Sequence, residues 1–531
     1  MPKLAALDLF VRRLVPPKDK AFGASLFFSL FYRQTAKAVV FYAYCNCVKP
    51  CPFPHPGERP LFHKEVFGME EQALPVQNSI TSGVIWKTLL SFFFPILLGT
   101  FFQQLYNTAD AVIVGRFVGK EALAAVGGAT STLINLLVGL FVGISSGAAV
   151  VISQLYGARD SDGTQRAVHT TMAFALAGGF ALMIIGWIIS PMALVAMNTP
   201  ADVLPHSITY IRIYFLGIIA NFIYNMGSGI LRAVGDSRRP LYFLMACCLV
   251  NIVLDILLVV YIPLGVLGVA LGTFFSQIIS AVLVILSLTR TTQIYHLKPR
   301  QIAFDPTMLG RIVVIGLPAG LQSVMYSISN IIIQSSINTF GVDAAAAWTA
   351  YGKIDGFFWM IMGAFGVAIT TFSGQNFGAG RYDRIHKSVW VCMGMSAGTA
   401  IFLSVALFFG GGVIYRLFTP DAAVVEQGMV ILRLLVPTYI TYIAIEILSG
   451  AMRGTGDSII PMMITCVGIC VLRVAWIMVA VPQWRDIRCV CLSYPITWST
   501  TSICFLVYYF QGGWLRRRIA AQRQQLAGGG G

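Results

Sequence analysis

Two carboxylic acids lie inside long apolar stretches of the chain, and each has an amide on the same helical face. Asp110 follows Asn107 by three residues, and Asp255 follows Asn251 by four. An acid inside hydrocarbon is so costly that it indicates a functional site. Together with Thr273, which also lies in an apolar stretch, these residues predict a cation-coupling site. Its predicted members are Asp110, Asn251, Asp255 and Thr273.

The predicted site could hold its cation in two ways. Na⁺ would bind carboxylate, amide and hydroxyl oxygens, with Asp110 and Asp255 as its metal ligands. Protons would instead sit on the two carboxyls, because burial and mutual repulsion both favour the protonated form. The structural alternative is that each acid only satisfies a polar group of a neighbouring helix. H⁺ or Na⁺ is the coupling ion, and no other cofactor is predicted.

The depth of these residues is compatible with one pocket. At 1.5 Å per residue from the outer ends of their helices, Asp110, Asp255 and Thr273 lie about 8, 12 and 13 Å deep. Further polar side chains that could line this pocket are Tyr106, Asn107, Gln104, Gln277, Asn330 and Glu446.

The segments that must position these residues are long apolar runs. The chain is 57% hydrophobic and 11% charged, with a mean hydropathy of +0.76, so that lipid is the solvent of most of it. Runs of about 20 residues can cross about 30 Å of hydrocarbon as helices, and they lack the alternation of a barrel strand. We predict an all-α polytopic membrane protein of twelve spans, near residues 88–114, 122–150, 168–190, 207–230, 241–262, 264–288, 310–337, 344–372, 388–410, 428–450, 460–480 and 489–510.

The net charge of +15 predicts orientation rather than nucleic-acid binding. Basic residues concentrate on one set of loops and on the tail, which contains Arg516, Arg517 and Arg518, whereas the opposite loops carry few. The positive-inside rule therefore predicts a multi-pass protein of the cell inner (plasma) membrane with cytoplasmic N- and C-termini.

An internal repeat divides the membrane region into two halves. Residues 231–240 (LRAVGDSRRP) align with residues 452–461 (MRGTGDSIIP) at an offset of 221 residues, and Gln154 falls on Gln375 at the same offset. We predict two six-helix bundles, 81–290 and 311–512, which run in the same direction and are joined by a cytoplasmic linker, 291–310. A basic tail follows at 513–531. The shared RxxGDSxxP predicts a turn in which Gly supplies positive φ, Asp or Ser caps the next helix and Pro sits in its first turn.

The N-terminal segment differs in character from the rest of the chain. Residues 1–68 are Pro-rich in places and have apolar runs too short to span a bilayer. We expect a disordered or non-native extension with Met69 as the start; an amphipathic helix on the membrane surface is the alternative. Cys45, Cys47 and Cys51 match no zinc spacing that would predict a metal site.

The two halves differ in their acids. With a small gap allowed in the first helix, Asp110 pairs with Ile333, and at the offset of 221 residues Asp255 pairs with Trp476. Ion coupling is therefore predicted in the first bundle. The second half has charges of its own, for which we expect structural ion pairs: Lys353 with Asp355, or Glu446 with Arg473.

These residues, in this order, resemble the multidrug and toxic compound extrusion (MATE) family. The resemblance is carried by Pro95, Ile96 and Leu97, by residues 103–110 (QQLYNTAD), by Val114, Gly115 and Arg116, by residues 123–127 (LAAVG) and by the doubled RxxGDSxxP. It implies a V-shaped fold of two six-helix bundles that exports organic cations and other toxic compounds. In the prokaryotic DinF-like branch, it implies a cation site at Asp110, Asn251, Asp255 and Thr273. Helix 7 lacks the acid of other branches, and Glu446 matches theirs only in part.

The sequence thus predicts a secondary active multidrug efflux antiporter, not an enzyme, that works by alternating access. Its expected partners are small-molecule drugs, cationic and amphipathic, and the lipid bilayer; it is expected to be a monomer that binds no nucleic acid. A lipid-linked oligosaccharide flippase is the alternative, and it would require a strongly cationic central cavity. An intramembrane transferase would require a constellation of acids and His that the sequence does not show.

Overall fold

The computed structural model describes residues 79–418 and 421–528, and within them the chain is entirely helical. Twelve of these helices are long and apolar enough to cross a membrane, which confirms the predicted fold class. After a one-turn helix, Ser79–Ser82, the spans are α1 (Ile85–Phe117), α2 (Lys120–Gly157), α3 (Ser161–Ala196), α4 (Leu204–Ala233), α5 (Arg238–Tyr261), α6 (Val266–Arg290), α7 (Pro306–Asn338), α8 (Val342–Gly378), α9 (Tyr382–Arg416), α10 (Ala422–Gly454), α11 (Ile459–Gln483) and α12 (Ile487–Phe510). The expectations for residues 1–68, Met69 and the three cysteines lie outside the described residues.

Several spans contain breaks in the regular helix. Gly128 separates two segments of α2, Lys120–Gly127 and Ala129–Gly157. A π-helical turn, Ile256–Tyr261, follows Asp255 directly in α5, and a second one, Cys466–Val471, lies within α11. Such turns widen the backbone and often mark functional positions. In α5 the wider turn begins at the residue after the predicted coupling acid.

The six helices of each half pack chiefly on one another, but each half also receives a helix start from the other. The beginning of α1, with Leu89, Phe92 and Phe93, joins the apolar core of the second half. The beginning of α7, with Met308 and Ile312, joins the core of the first. The Phe93 ring stacks on Phe365 with centroids 4.0 Å apart. This exchange ties the two bundles together at one end.

Small residues bring α2 and α7 into backbone contact. A β-carbon at Gly143 would fall on the backbone of Gly320, and one at Gly147 would fall on the backbone of Gly316. Without side chains at these points, two membrane helices can approach closely enough for their backbones to pack. The α2–α7 contact is therefore part of the interface between the bundles.

The repeated RxxGDSxxP forms the predicted turn in both halves, with a difference in its caps. Gly235 and Gly456 have φ of 96° and 91°, which only glycine adopts readily. In the first copy Oδ1 of Asp236 accepts hydrogen bonds from the backbone amides of Arg238 and Arg239, as predicted. In the second copy Asp457 instead accepts a 2.8 Å bond from the Tyr508 hydroxyl. The predicted cap is thus confirmed for the first turn and wrong for the second.

The basic tail forms a helix, α13 (Gly513–Gly528). Trp514 and Leu515 are buried at its start, and Tyr382 of α9 donates a hydrogen bond to Gln522. Burial lowers the pKa of the Arg518 guanidinium, while the neighbouring Asp457 carboxylate favours its charged form. The tail helix is therefore packed against the second repeat turn.

Candidate cation-coupling site and the space between the bundles

Asp110 and Asp255 meet in the interior of the first bundle. Asp110 is 3% exposed and Asp255 is fully buried, and the two carboxyl groups are electrostatic neighbours. The Thr273 hydroxyl donates a 3.3 Å hydrogen bond to Oδ2 of Asp110, and Asn251 lies against the same carboxyl. The structure thus brings together the four residues for which the sequence predicts cation coupling, from α1, α5 and α6.

The cluster is incompletely satisfied. Oδ1 of Asp110, both carboxyl oxygens of Asp255 and both side-chain polar atoms of Asn251 are buried without a hydrogen-bond partner in the described residues. Burying a polar group without a partner costs a few kcal/mol, and burying a charge costs more. Since two carboxylates side by side also repel, the cluster needs either a proton or a cation between them.

Close backbone approach makes the cluster compact. Gly272 of α6 lies against Asp255, and a β-carbon there would fall on Oδ1 of the carboxyl. Tyr106 and Tyr210 are near Asp110 as well, Tyr106 from α1 and Tyr210 from α4. The site therefore has carboxylate, amide and hydroxyl oxygens for a hard cation, within aromatic walls that exclude water.

The other predicted pocket residues lie at three different places. Gln277 is buried one turn from Thr273 on α6, and its Oε1 has no partner, so it extends the first-bundle cluster. Gln104 and Asn107 are exposed, and Asn107 donates a weak 3.4 Å hydrogen bond to Gln104. Asn330 of α7 is exposed too. These three lie outside the acid cluster.

Glu446 belongs to a separate polar cluster inside the second bundle. The Tyr442 hydroxyl donates a 3.0 Å hydrogen bond to Oε2 of Glu446, and Tyr326 lies beside Tyr442. A β-carbon at Gly366 would fall on Oε1 of Glu446, much as one at Gly272 would fall on Asp255. Both bundles therefore bury an acid against a glycine, although at positions that the repeat does not relate.

The expected ion pairs of the second bundle are wrong. Lys353 is exposed, whereas Asp355 on the same helix is 9% exposed and faces the bundle interior. Instead of a cation, Asp355 accepts hydrogen bonds from Tyr439 at 2.7 Å, Tyr351 at 3.2 Å and the Trp359 indole at 2.6 Å. Consecutive helical residues point in different directions, and a spacing of two places the side chains on opposite faces.

Arg473 is likewise free of an acid contact at ion-pair distance in the described residues. Its guanidinium lies 3.9 Å from the centre of the Tyr494 ring and donates to the Thr497 hydroxyl at 3.0 Å. Stacking on an aromatic face suits arginine, because its planar cation is weakly hydrated. The prediction of a Glu446–Arg473 pair overlooked these aromatic and hydroxyl partners on α12.

Asp355 is the buried acid whose setting the sequence analysis missed. Tyr351 stands four residues before Asp355 and Trp359 four residues after it. One face of α8 therefore carries the acceptor, Asp355, together with two of its hydrogen-bond donors. That spacing was the available signal. The third donor, Tyr439, comes from α10 and could not be placed from the sequence.

Two glutamines related by the repeat close one end of the bundle interface. Gln154 of α2 donates a 2.8 Å hydrogen bond to the carbonyl of Gly454, and Gln375 of α8 donates a 2.6 Å bond to the carbonyl of Ala233. Each glutamine thus reaches the repeat turn of the other half. We call these two bonds the crossed glutamine latch, and the side of the molecule where they lie the turn side.

We call the opposite end of the interface the far side, and there several positions of α8 have no protein neighbour among the described residues. On α8, β-carbons at Gly352, Gly356 and Gly363 would meet no atom within 4 Å. The interbundle contacts of Phe365, Gln375 and their neighbours all lie closer to the turn side. We call the region between the far-side halves of α1, α2, α7 and α8, where Gln104, Asn330 and Lys353 are exposed, the cleft.

Comparison with known proteins places these features in context. A family model described as MatE matches residues 95–257 and 318–479, one segment in each bundle. The probable multidrug resistance protein YoeA of Bacillus subtilis (strain 168) is 27% identical over 444 residues, which are 82% of this chain and 95% of YoeA. The multidrug export protein MepA of Staphylococcus aureus (strain N315) is 23% identical over 379 residues, or 70% of this chain and 82% of MepA.

Solved structures show the same fold. An outward-facing multidrug resistance MATE family transporter of the MOP superfamily superposes with a TM-score of 0.77 at 22% identity, covering 84% of this chain and 98% of that one. A MATE structure in a bent conformation gives 0.77 at 21% identity, with 85% and 99% covered. The likeness in fold extends over both bundles.

Proposed function

Because this chain belongs to the MatE family, we propose that it is a secondary active exporter of small organic compounds that exchanges its cargo for inward H⁺ or Na⁺. The names of YoeA and MepA, a probable multidrug resistance protein and a multidrug export protein, support multidrug efflux. Twelve apolar helices support a multi-pass membrane location. The bacterial relatives support the plasma membrane, and we propose that the protein acts there as a monomer with both termini in the cytoplasm.

The observation that carries the coupling proposal is the pair of neighbouring, buried carboxyls. Asp110 and Asp255 meet with three carboxyl oxygens lacking a hydrogen-bond partner. A neutral structural pair would not leave so many acceptors free, because each buried and unsatisfied group costs free energy. A proton or Na⁺ that binds there removes this cost and leaves again when the site opens to water.

Alternating access is supported by how the bundles touch. The crossed glutamine latch closes the turn side, while the far side has a cleft between the bundles. Transporters built from such repeats rock one bundle against the other around a central site. In this proposal, opening the latch exposes the cleft to the turn side, which the positive-inside rule places in the cytoplasm.

Helix α1 connects the two events. Asp110 lies on it in the first bundle, and Phe93 lies on it against the second. Binding of a proton or Na⁺ at the acid pair changes the electrostatic interaction between α1 and α5, because Asp110 lies on α1 and Asp255 lies on α5. Pro95 inside α1 removes one backbone hydrogen bond and so permits the helix to bend between the two points.

The experiment that tests this proposal is dye efflux from proteoliposomes with an imposed ΔpH or an imposed Na⁺ gradient, applied separately. Efflux driven by one of them identifies the ion. Asp110→Asn is expected to lower gradient-driven efflux by about tenfold or more, since removal of one charge-bearing group shifts an ion-binding equilibrium by at least about 1.4 kcal/mol. The control is Asp202→Asn, an exposed acid in the loop between α3 and α4. Efflux by Asp110→Asn equal to that of the control would refute the coupling role.

A lipid-linked oligosaccharide flippase is less well supported by the cleft. Such a cargo carries a diphosphate and calls for several cations at membrane depth. The far-side halves of α1, α2, α7 and α8 expose one lysine, Lys353, between their ends. Organic cations, the cargo that the family resemblance implies, would enter the same cleft and meet this single lysine.

A further inference from the structure

Lys353 of α8 is an unpaired cation at membrane depth. It is exposed, and it forms no hydrogen bond or ion pair with any described residue. It lies about 10 Å from the midpoint of its helix at 1.5 Å per residue, and so within the ~30 Å of hydrocarbon that the helix crosses. A charged side chain at that depth is tolerated where it faces water or a polar partner rather than lipid.

The register of α8 shows which way Lys353 faces. Gln375 and Gly378, both in contact with the first bundle, follow it by 22 and 25 residues, or about six and seven complete helical turns. Lys353 is therefore on the face of α8 that looks at the first bundle, in the part of the interface that is open. Asp355 is on the opposite face, held by tyrosines inside the second bundle.

The opposite wall of the cleft is polar but uncharged. On α1, Gln104 follows Phe93 by 11 residues, about three turns, so both residues lie on the same face of the helix. Phe93 contacts Phe365 of α8 nearer the turn side, and Gln104 lies on this α8-facing side of α1 further toward the far side. Asn107 is hydrogen-bonded to Gln104 on the same exposed surface. These two amides, with Asn330 of α7, offer both donors and acceptors to a bound molecule.

Acidic side chains do not balance Lys353 inside the cleft. The four bordering helices contain four acids. Asp110 and Asp355 are buried within their own bundles, whereas Glu121 and Asp343 lie in the first turns of α2 and α8, at the far-side mouth. At membrane depth the cleft therefore has one exposed ionisable group, and it is positive.

We propose that Lys353 binds the cargo, and that the cargo it selects is an amphipathic compound with an anionic group such as a carboxylate, sulfonate or phosphate. The Lys353 ammonium would pair with that group, the amides of α1 and α7 would orient it, and the exposed Phe357, one turn further along α8, would contact its apolar part. This inference rests on the proposed export function and deepens it. A monovalent organic cation would meet repulsion at the same point.

The test compares two dyes in the same proteoliposomes. The full chain is reconstituted with the membrane potential clamped, and gradient-driven transport of calcein, a polycarboxylate, is measured beside that of ethidium, a cation. The ratio of the two rates cancels differences in protein amount. The variants are Lys353→Glu, Lys353→Arg and the matched control Lys387→Glu, an exposed lysine at the turn-side end of α9.

The wild type is expected to favour calcein. Lys353→Glu should shift the calcein-to-ethidium ratio by about tenfold or more toward ethidium. Reversing a charge at contact distance changes the relative binding free energy of the two dyes by at least the amount that corresponds to a tenfold change in affinity. Lys353→Arg and Lys387→Glu should keep the wild-type ratio. If Lys353→Glu does not fold, Lys353→Met should lose the preference for calcein, and binding of each dye to detergent-solubilised protein gives the same comparison without transport.

The outcomes separate the two proposals. Transport of both dyes, with a ratio that Lys353→Glu or Lys353→Met leaves unchanged, overturns the role of Lys353 and leaves export intact. A wild type that prefers ethidium also overturns it. Transport of neither dye, and of no other compound under either gradient, overturns the export function and this inference together.

Discussion

The acid pair of α1 and α5 has the properties of a site that changes occupancy rather than of a structural contact. Asp110 receives one hydrogen bond, from Thr273, and Asp255 receives none from the described residues. A buried polar contact that serves stability is normally satisfied on all sides. In the proposed coupling, the free energy of the cluster depends on whether H⁺ or Na⁺ is bound, which is the condition for coupling an ion to a conformational change.

Removing one acid is therefore expected to raise stability while it abolishes coupling. Asp255→Asn keeps the side chain's size and removes one of two adjacent charges, and replacing a buried charge is often neutral or stabilising. We expect an unchanged or higher unfolding temperature at pH 8, measured by thermal unfolding in detergent, together with lost gradient-driven efflux. A lower unfolding temperature with normal efflux would show instead that Asp255 serves the fold.

Asp355 is expected to behave in the opposite way. Its carboxyl accepts three hydrogen bonds inside the second bundle, so Asp355→Leu would leave two tyrosine hydroxyls and one indole N–H without their acceptor. At about 1–3 kcal/mol for each buried donor left unsatisfied, the unfolding temperature should fall clearly, whereas Asp355→Asn, which still accepts, should lose less. Lys353→Leu, two residues away and exposed, is the control in the same thermal measurement. Equal stability of Asp355→Leu and this control would contradict a structural role for the network.

The position of a single side chain was predictable from the sequence where it depends on one helix alone. Asp110 and Asp255 stand out because hydrocarbon disfavours charge, and the structure places them with Asn251 and Thr273 from three helices. Gln104 and Asn107 share α1 with Asp110 but are exposed, although Asn107 lies on the same helical face as Asp110. Spacing along one helix gives the relative direction of side chains, whereas the neighbouring helix that each one meets is set by packing.

At the scale of elements, α5 and α6 pack closely because Gly272 of α6 leaves room for the Asp255 carboxyl of α5. Gly272→Ala would place a methyl group on Oδ1 of Asp255, so the carboxyl must move away from Asp110. We expect gradient-driven efflux to fall about tenfold, as a misplaced coupling group does. In proteoliposome efflux, Gly310→Ala on α7 is the matched control, because its β-carbon would meet nothing within 4 Å. Normal efflux by Gly272→Ala would show that the acid contact is not needed.

The number and extent of the helices were predictable because hydrophobic length alone reports a span. The described residues contain twelve spans, and twelve were predicted. The breaks inside them were not predicted: the π-helical turns after Asp255 and at Cys466 contain no proline or other local signal that the sequence offers. They arise from packing between helices, which a single run of residues does not encode.

At the scale of the whole molecule, the repeat becomes functional through contacts that cross between its copies. The offset of 221 residues relates Gln154 to Gln375, and it also relates their acceptors, Ala233 and Gly454. Each glutamine of one half therefore bonds the turn of the other half. Each repeated turn is explained by its local geometry, whereas the pairing of the two copies across the interface depends on helix packing that the sequence does not show.

The crossed glutamine latch predicts the direction of a conformational shift. Gln154→Ala combined with Gln375→Ala removes both bonds and leaves two turn carbonyls free to bind water once the bundles part. With each bond worth about 0.5–1.5 kcal/mol, the double variant should raise the population open on the turn side by roughly tenfold, because about 1.4 kcal/mol corresponds to a factor of ten.

Spin labels at the repeat-related positions Asp162 and Asp383, both exposed at the turn side, can report this change by pulsed electron resonance in a cysteine-depleted chain that still transports. The double variant should show a longer interlabel distance, each single variant an intermediate population, and Gln301→Ala, an exposed glutamine in the linker, the wild-type distribution. Because the two bonds lie on the same interface, their effects should combine cooperatively rather than add, since breaking the first already loosens the second. An unchanged distance distribution in the double variant would mean that the interface is held by the α2–α7 glycine contact, and that the latch only accompanies closure.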